Sequence, residues 1–368
     1  MYRLVQRRGI IGLFCLLFVA SSVVPGWAQK DNRFEVSKNL DIFNSLLKEV
    51  EMFYVDSVDV DKTVQRGIEA MLAGLDPYTE YYPEQKTEEL SLMTTGEYGG
   101  IGSLIRQRNN EGGVMIAEPT EGMPADLAGL KPGDLILAID TIDVSKATNS
   151  RVSELLKGVP NTKMVLTIQR PGEKKPRKFE ITRKQITTPQ VTYYGVKNDS
   201  IGYIYLKAFT IKSAQEVKEA FLDLKKNHNI KSLVLDLRGN GGGVLEGAVQ
   251  IVGMFVPKGS EVLSTKGKIK QWDRTYRTST EPLDTVMPLA ILINGGTASA
   301  AEIVSGSLQD MDRAVLVGQR SFGKGLVQAP RDLPNNGKVK NTMSKYYIPS
   351  GRCIQQIDYS HRTECYRC

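Results

Sequence analysis

Two residues in the C-terminal half of the chain could act as a nucleophile and its base. Ser299 follows a turn of small residues and begins a helical pattern, where unpaired N–H groups favour negative charge. The chain has only two histidines, His228 and His361, and neither is flanked by groups that would orient an imidazole. Lys324, which lies between glycines in SFGKG, is the alternative base. A lysine in a dry site can be neutral near physiological pH and accept the proton of a hydroxyl.

The lysine segment also fits part of a nucleotide-binding pattern. Gly318 to Lys324 satisfies G-x-x-x-x-G-K, the beginning of a phosphate-binding loop. The next position of such a loop is Ser or Thr, which holds magnesium, and here it is Gly325. Two prolines and a turn signal follow where a helix should open. We therefore reject the nucleotide interpretation and predict neither a cofactor nor a metal.

The elements that must position this pair lie in the C-terminal half. From Gln190 onward, strand patterns alternate with helical ones, which favours a layered α/β domain with helices over a largely parallel sheet. The run DLRGNGGG follows a buried type of strand and precedes a helix that starts near Val244. Its bare backbone N–H groups suit an oxyanion hole, and a tight strand-to-helix turn explains the run equally well.

Two longer runs carry a resemblance to a known family. GGTASAAEIVSGSLQD and RAVLVGQRSFGKGLVQ resemble the serine and lysine segments of the carboxyl-terminal processing peptidases, also called tail-specific proteases. The resemblance extends from about Phe43 to Tyr359. Alone, Ser299 would be an ordinary helix N-cap. With both runs present, the resemblance implies that Ser299 is the nucleophile, that Lys324 is the general base and that Gln328 orients the lysine.

The same resemblance implies an oxyanion hole. It assigns one donor to the glycine run, which we place at Gly242 with Gly241 and Gly243 as alternatives, and the other to the N–H of Ala300. Glu302 lies one turn into the same helix. We expect it to have a capping or structural role, because a carboxylate beside Lys324 would raise the pKa of the amine and weaken the base.

Residues 96–186 predict a small domain of strands with two short helices. The run PADLAGLKPGDLILAID resembles a PDZ domain, and the alternative of a dinucleotide loop fails because G-x-G-x-x-G is not satisfied. A Gly-rich loop would offer N–H groups to the terminal carboxylate of a peptide that pairs with the strand edge beside it. The predicted peptide-binding residues are Tyr98, Gly99, Gly100, Ile101, Gly102, Ser103 and Leu104.

The N-terminal part divides into a leader and a helical region. Residues 1–28 have basic residues, an apolar run and a small-x-small site, as in a secretory signal peptide, so we expect export to the periplasm or cell envelope. A retained leader that tethers the chain near a membrane stays open as the lesser alternative. Residues 34–95 show helical periodicity. Their tyrosines Tyr78, Tyr81 and Tyr82 could form a ligand platform, but packing against a neighbouring domain is the simpler interpretation.

The end of the chain is atypical. The mature chain would hold three cysteines, Cys353, Cys365 and Cys368, and an odd number leaves at least one thiol unpaired. One C-x-x-C pair without a partner pair is weak evidence for a metal site. Residues 360–368 differ from the sequence with which the family continues, so we expect a truncated tail.

The fold expected from these features is α/β. It comprises a layered peptidase core of the crotonase/ClpP-like kind (187–359), a helical N-terminal region (34–95) and an inserted PDZ domain (96–186). The net charge of +7 is scattered without interleaved aromatics, so no nucleic-acid partner is expected. The predicted function is an exported serine endopeptidase that cleaves proteins recognised by their free C-terminal tails. A non-catalytic PDZ scaffold is the alternative, and a homo-oligomer stays open.

Overall fold

The computed structural model describes residues 32–108, 112–359 and 363–364. The chain divides into two units, Met1–Ile68 and Glu69–Cys368. The predicted signal peptide, His361 and the Cys365–Cys368 pair lie outside the described residues.

The first unit contains helix α1 (Arg33–Phe53) and most of helix α2 (Val60–Ala73). Gly67 of α2 faces the ring of Phe43, since a Cβ at Gly67 would lie 4.0 Å from Phe43 Cε2. The apolar stripes that predicted these helices are largely exposed, as at Leu40 and Leu46. Within the described ranges, no helix is both long enough and apolar enough to cross a bilayer.

The second unit begins with strand β1 (Glu80–Tyr82) and helix α3 (Thr87–Thr95). The prediction of helix throughout this stretch was wrong at β1. Its tyrosines favour a strand, and it pairs antiparallel with a strand near the end of the chain, with Glu80 opposite Lys340. The helical patterns on either side hid this three-residue strand, because its partner strand is far away in the sequence.

The part of this unit that was predicted to be a PDZ domain is an antiparallel sheet with two short helices. Its strands are β2 (Glu97–Gly100), β3 (Ser103–Gln107), β4 (Val114–Pro119), β5 (Leu135–Ile139), β6 (Ile142–Asp143), β7 (Lys163–Gln169), β8 (Arg177–Thr182) and β9 (Lys184–Thr187). Its helices are α4 (Pro124–Leu127) and α5 (Asn149–Leu156). The strand order is β3-β4-β5-β7-β8, with β6 on β5, and β2 pairs with β9. Strand β3 is therefore an edge strand in the described part of the chain.

The remainder forms the layered α/β core that the sequence predicted. Its first sheet has the order β10-β11-β12-β15-β16 and is parallel except for β10. These strands are β10 (Val191–Lys197), β11 (Ile201–Leu206), β12 (Ser232–Asp236), β15 (Leu289–Ile293) and β16 (Val315–Gly318). Helices α6 (Ser213–Asn227), α7 (Leu245–Gly253) and α8 (Ala300–Asp310) contribute to the same buried cluster as the sheet.

A second sheet, of order β1-β18-β13-β14 with β17 on β18, carries the lysine segment. Its further strands are β13 (Glu261–Gly267), β14 (Arg274–Arg277), β17 (Leu326–Asp332) and β18 (Lys338–Tyr347). Two short strands, β19 (Ile357–Asp358) and β20 (Thr363–Glu364), pair with each other.

The parallel sheet brings the two glycine-rich turns together. Strands β12 and β15 are neighbours, so the turns that follow their carboxyl ends lie at the same edge of the sheet. Thr297 Oγ1 donates to the carbonyl oxygen of Leu237 at 2.8 Å, and Ala298 N donates to that of Asn240 at 2.9 Å. These bonds hold the DLRGNGGG turn against the residues that precede Ser299.

Candidate active site

Ser299 lies at the start of α8 in an unusual backbone conformation. Its φ is 56° and its ψ is −118°, whereas an ordinary N-cap residue has extended backbone. A positive φ is uncommon for a non-glycine residue, and such strain persists only where the surrounding structure enforces it. The conformation is typical of a residue whose side chain is held at a functional position.

Glu302 provides much of that enforcement. Its carboxylate accepts hydrogen bonds from three backbone N–H groups, those of Ser299 at 2.8 Å, Gly323 at 2.7 Å and Lys324 at 2.9 Å. Oε2 accepts from both Ser299 and Lys324, so one oxygen atom joins the two predicted catalytic segments. Burial raises the pKa of Glu302, and a hydrogen bond from the Ser321 side chain, followed by those from the three N–H groups, opposes the rise. The capping role expected for Glu302 is confirmed, and the carboxylate also fixes the lysine loop.

Lys324 is half-buried in the loop that precedes β17 of the second sheet. Burial, followed by the charge of Lys340, lowers the pKa of Lys324 to about 8, against the opposing charges of Asp76, Glu80 and Glu302. At pH 7 about a tenth of such amines are neutral, compared with fewer than about one in a thousand at the usual pKa of a lysine. The lowered pKa that the sequence argument required is therefore present.

The backbones of Ser299 and Lys324 are joined a second time by Tyr346. Its buried hydroxyl lies 2.7 Å from the carbonyl oxygen of Lys324 and 3.1 Å from that of Ser299. The two side chains are not yet engaged, because no hydrogen bond joins Ser299 Oγ and Lys324 Nζ within the residues described. Apo enzymes often show such loose pairs, which tighten when substrate is bound.

The glycine run lies directly against Ser299. A Cβ placed on Gly242 would lie 2.7 Å from Ser299 Cβ and 2.8 Å from the nitrogen of Ala300, and φ at Gly242 is 92°. Only glycine fits such a site without strain. The Ala300 N–H has no partner in the described part of the chain, as an oxyanion donor requires.

Gly242 itself does not offer a free donor in this structure. Its N–H donates to Oδ1 of the buried Asn240 at 2.9 Å, while Asn240 Nδ2 donates to the carbonyl oxygen of Leu206. The alternatives Gly241 and Gly243 have N–H groups without a described partner. The assignment of the first oxyanion donor within this run stays a prediction.

Gln328 begins the part of β17 that pairs with β18 across a register shift. Its Nε2 donates to Oγ1 of Thr342 at 3.1 Å, and no described hydrogen bond connects it to Lys324. The predicted orienting role of Gln328 therefore stays a prediction.

A small cleft between β3 and α5 corresponds to the predicted peptide groove. It has a volume of about 40 Å³ and is lined by Tyr98, Gly100, Ile101, Gly102, Ser103, Ile105, Ser153, Leu156 and Lys157. Gly99 and Leu104 do not line it, and Leu104 is exposed on the strand. Tyr98, Gly99 and Gly100 belong to β2 and pair with β9. The predicted carboxylate-binding loop therefore consists of Ile101 and Gly102.

The residues that sequence reasoning missed have weak sequence signals. Asn240 was the only amide in the glycine run, and Tyr346 lies in an ordinary strand pattern. Lys157 follows α5, whose amphipathic pattern indicated a helix but not its role as a groove wall. Tyr78 was expected to pack against a neighbouring domain, and its ring does contact Tyr359, but its position under Lys324 was not predicted. Among the residues described, no group of His, Cys, Asp and Glu side chains is arranged to hold a metal.

Two parts of the chain match known protein families. Residues 200–360 match the model of peptidase family S41, and residues 115–170 match a PDZ domain model. A carboxy-terminal-processing protease of Bartonella bacilliformis is 36% identical over 345 residues, which are 93% of this chain and 77% of that protein. A probable CtpA-like serine protease of Staphylococcus aureus is 33% identical over 320 residues, which are 86% of this chain and 62% of that protein.

Among solved structures, the photosystem II D1 C-terminal processing protease is 29% identical to this chain, with 84% of this chain and 83% of that chain covered and a TM-score of 0.46.

Proposed function

The chain belongs to peptidase family S41, a family of serine proteases, and from that premise we propose that it is a serine endopeptidase in which Ser299 is the nucleophile and Lys324 the general base. The observation that carries this proposal is the double attachment of the strained Ser299 and the half-buried Lys324 to Glu302 Oε2. Two segments held to a single atom share a site, and one of them carries an amine with a pKa of about 8.

The reaction follows from the groups present. The neutral amine of Lys324 takes the proton of Ser299 Oγ as the oxygen forms a bond to the carbonyl carbon of a peptide. The carbonyl π electrons move to the oxygen, which the Ala300 N–H and a donor of the glycine run stabilise. As the C–N bond breaks, the Lys324 ammonium returns its proton to the leaving amine. Water, activated by the same lysine, then hydrolyses the acyl-enzyme.

We further propose that the PDZ domain selects substrates by their free C-terminal tails. The exposed edge of β3 supports this, because a peptide can add to it as a further strand. The exposed Lys157 beside the cleft provides a positive charge for the terminal carboxylate. Tail peptides with a free carboxylate are expected to bind more tightly than the same peptides with an amidated end, as isothermal titration would measure.

The test of the catalytic pair is cleavage of an unfolded protein that exposes its C-terminal tail. We expect Ser299→Ala and Lys324→Ala each to abolish cleavage, and an acylating probe to label Ser299 in the unaltered protein only. His228→Ala is the control, because His228 is exposed and lies beside Asp223. Unchanged cleavage in both site variants would overturn the proposal. Tail binding without any cleavage would favour a non-catalytic scaffold.

We also propose that the protein acts outside the cytoplasm. Residues 1–28 support export to the periplasm or cell envelope, with cleavage after Ala28. A mass spectrum of the protein from a periplasmic fraction should show a mature N-terminus at Gln29. Recovery of the chain from the cytoplasm with Met1 intact would contradict export.

A further inference from the structure

The amine of Lys324 rests on the face of an aromatic ring. Its Nζ lies 4.3 Å from the centroid of the Tyr78 ring, and it makes no hydrogen bond to any residue in the described ranges. The electron-rich face of a ring attracts a cation within about 6 Å. The ring is therefore the group that holds this amine in the free protein.

From this contact we propose that Tyr78 is a positioning residue for Lys324, whose ring face aims the amine and stabilises the ammonium that forms when Ser299 loses its proton. The proposal rests on the proposed function, since it assumes that Lys324 is the base. It gives Tyr78 the part that a carboxylate plays beside the histidine of a serine protease triad, which is to orient the base and stabilise its charged form.

The ring is itself held firmly. The Tyr78 hydroxyl lies 3.3 Å from the hydroxyl of Tyr359, and the two rings meet edge to face with centroids 5.9 Å apart. The carboxylate of Asp76 accepts hydrogen bonds from the N–H groups of Tyr78 and Thr79, both at 2.8 Å, and from the Thr79 hydroxyl at 2.9 Å. A ring fixed on two sides can define where the lysine amine lies.

The same network reaches Gln328. Thr342 Oγ1 lies 3.2 Å from Thr79 Oγ1, whose own hydrogen is donated to Asp76, and Gln328 Nε2 donates to Thr342 Oγ1 at 3.1 Å. Gln328 therefore contacts the segment that carries Tyr78 through Thr342. This path explains how Gln328 could influence Lys324 without touching it.

The charges around Lys324 suit a partner that stabilises its ammonium form only weakly. The charged groups that face it come from four elements: Lys340 of β18, Glu80 of β1, Asp76 of the loop before it, and Glu302 of α8. Lys340 is paired with Glu80, and Glu302 is occupied by backbone N–H groups. A carboxylate in direct contact would keep the amine protonated. A ring stabilises the ammonium less strongly, so the amine can still lose its proton near pH 8.

A specific kinetic signature follows. If the ring is replaced by an apolar side chain of similar bulk, the ammonium is less stable, and the pKa of Lys324 falls by about one unit. Above the pKa, proton transfer to the weaker base slows the reaction about tenfold. Below it, the larger neutral fraction offsets the part of the loss that comes from the lowered pKa, so the two rates approach each other.

The experiment compares Tyr78→Leu with Tyr78→Phe over pH 6 to about 10. We expect kcat/KM of Tyr78→Leu to fall about tenfold at high pH and to approach the wild-type value at low pH. Tyr78→Phe keeps the ring face and should follow the wild-type profile within about threefold, although it loses the bond to Tyr359. Tyr193→Leu is the matched control, since it removes an exposed tyrosine whose ring centroid lies 5.2 Å from Lys197 Nζ. Its profile should not change.

A second measurement needs no activity. In the Ser299→Ala background, the pH dependence of acetylation of Lys324 by acetic anhydride, read by peptide mass spectrometry, gives the pKa of the amine directly. Tyr78→Leu should lower the midpoint by about one unit relative to Tyr78→Phe. An unchanged or raised midpoint overturns the proposal, as does a lowered midpoint without loss of rate at high pH. A wild-type protein that cleaves nothing would refute the proposed function, while acetylation would still test the contact.

Discussion

The predicted catalytic corner and the predicted peptide groove are built in opposite ways. At the corner, groups from the glycine run, α8 and the lysine loop are joined by buried and partly buried hydrogen bonds, and Ser299 is held at a positive φ. The groove is a cleft of about 40 Å³ beside an edge strand, and Lys157 at its rim is exposed. Because the groups of the corner are joined to one another, displacing one of them should cause a large loss of catalytic activity. A single substitution in the half-exposed groove should cause only a moderate loss of affinity for the peptide.

The largest loss of activity is expected from a substitution at Gly242, where the glycine run comes closest to Ser299. A methyl group at Gly242 would lie 2.7 Å from both the Ala298 oxygen and Ser299 Cβ, at a φ of 92°. Gly242→Ala should therefore displace Ser299 or the oxyanion donors and lower kcat/KM by about 100- to 1000-fold. Gly295→Ala is the control, because its Cβ would meet nothing within 4 Å.

The affinity for a tail peptide separates a local effect from misfolding. If the groove is independent of the corner, Gly242→Ala should bind the peptide as the wild type does. A Gly242→Ala protein with full activity would show that the corner is not clamped at this contact.

The next effect concerns the carboxylate that joins the two segments. Glu302→Gln leaves one acceptor oxygen for three N–H groups, so at least one of them loses its partner. We expect the free energy of unfolding to fall by about 2 kcal/mol, and kcat/KM to fall about a hundredfold as the reacting groups shift. Denaturant unfolding and peptide cleavage measure the two changes.

Glu246→Gln removes the charge of an exposed glutamate in the first turn of α7 and is the control for the loss of charge alone. It should match the wild type in both measurements. Equal stability of Glu302→Gln and the wild type would show that the three hydrogen bonds do not hold the corner.

The corner and the groove should differ in how cleavage and tail binding depend on pH. A general base must be deprotonated, so kcat/KM should rise about tenfold per pH unit below the Lys324 pKa of about 8 and level off above it. Lys340→Met removes a neighbouring positive charge and frees Glu80, and both changes favour the ammonium. The midpoint should therefore move upward, by about half a unit. An unchanged midpoint would show that the charge of Lys340 does not act on the base. Tail binding should not change over the same pH range.

The sequence was most informative where local pattern determines structure. The alternation after Gln190 predicted the layered core, and the confirmed fold class followed from it. The runs around Ser299 and Lys324 identified the candidate pair because small residues and glycines mark close backbone approaches. These features need no knowledge of distant contacts.

It was least informative where a contact joins distant segments. Strand β1 was missed because its partner is β18, and the position of Tyr78 under Lys324 depends on that pairing. The hydrogen bond from Gly242 N–H to Asn240 depends on the conformation of the turn. A glycine run can adopt several turn conformations, so its sequence does not predict this bond. In the groove, Lys157 was missed because a helix pattern does not reveal which strand the helix faces.

The smallest expected effect tests the groove at that residue. Lys157→Glu replaces a positive charge with a negative one at the rim where the carboxylate of a tail would lie. Because the site is exposed, the change should weaken tail-peptide binding only about tenfold, and by less at high salt, where exposed charges are screened. Lys175→Glu, the same charge change at an exposed position outside the cleft, should bind as the wild type does. Cleavage of a short substrate that cannot reach the groove should be equal in all three proteins. A loss of binding that is insensitive to salt, or an equal loss in Lys175→Glu, would mean that Lys157 acts through the fold or the net charge rather than on the bound carboxylate.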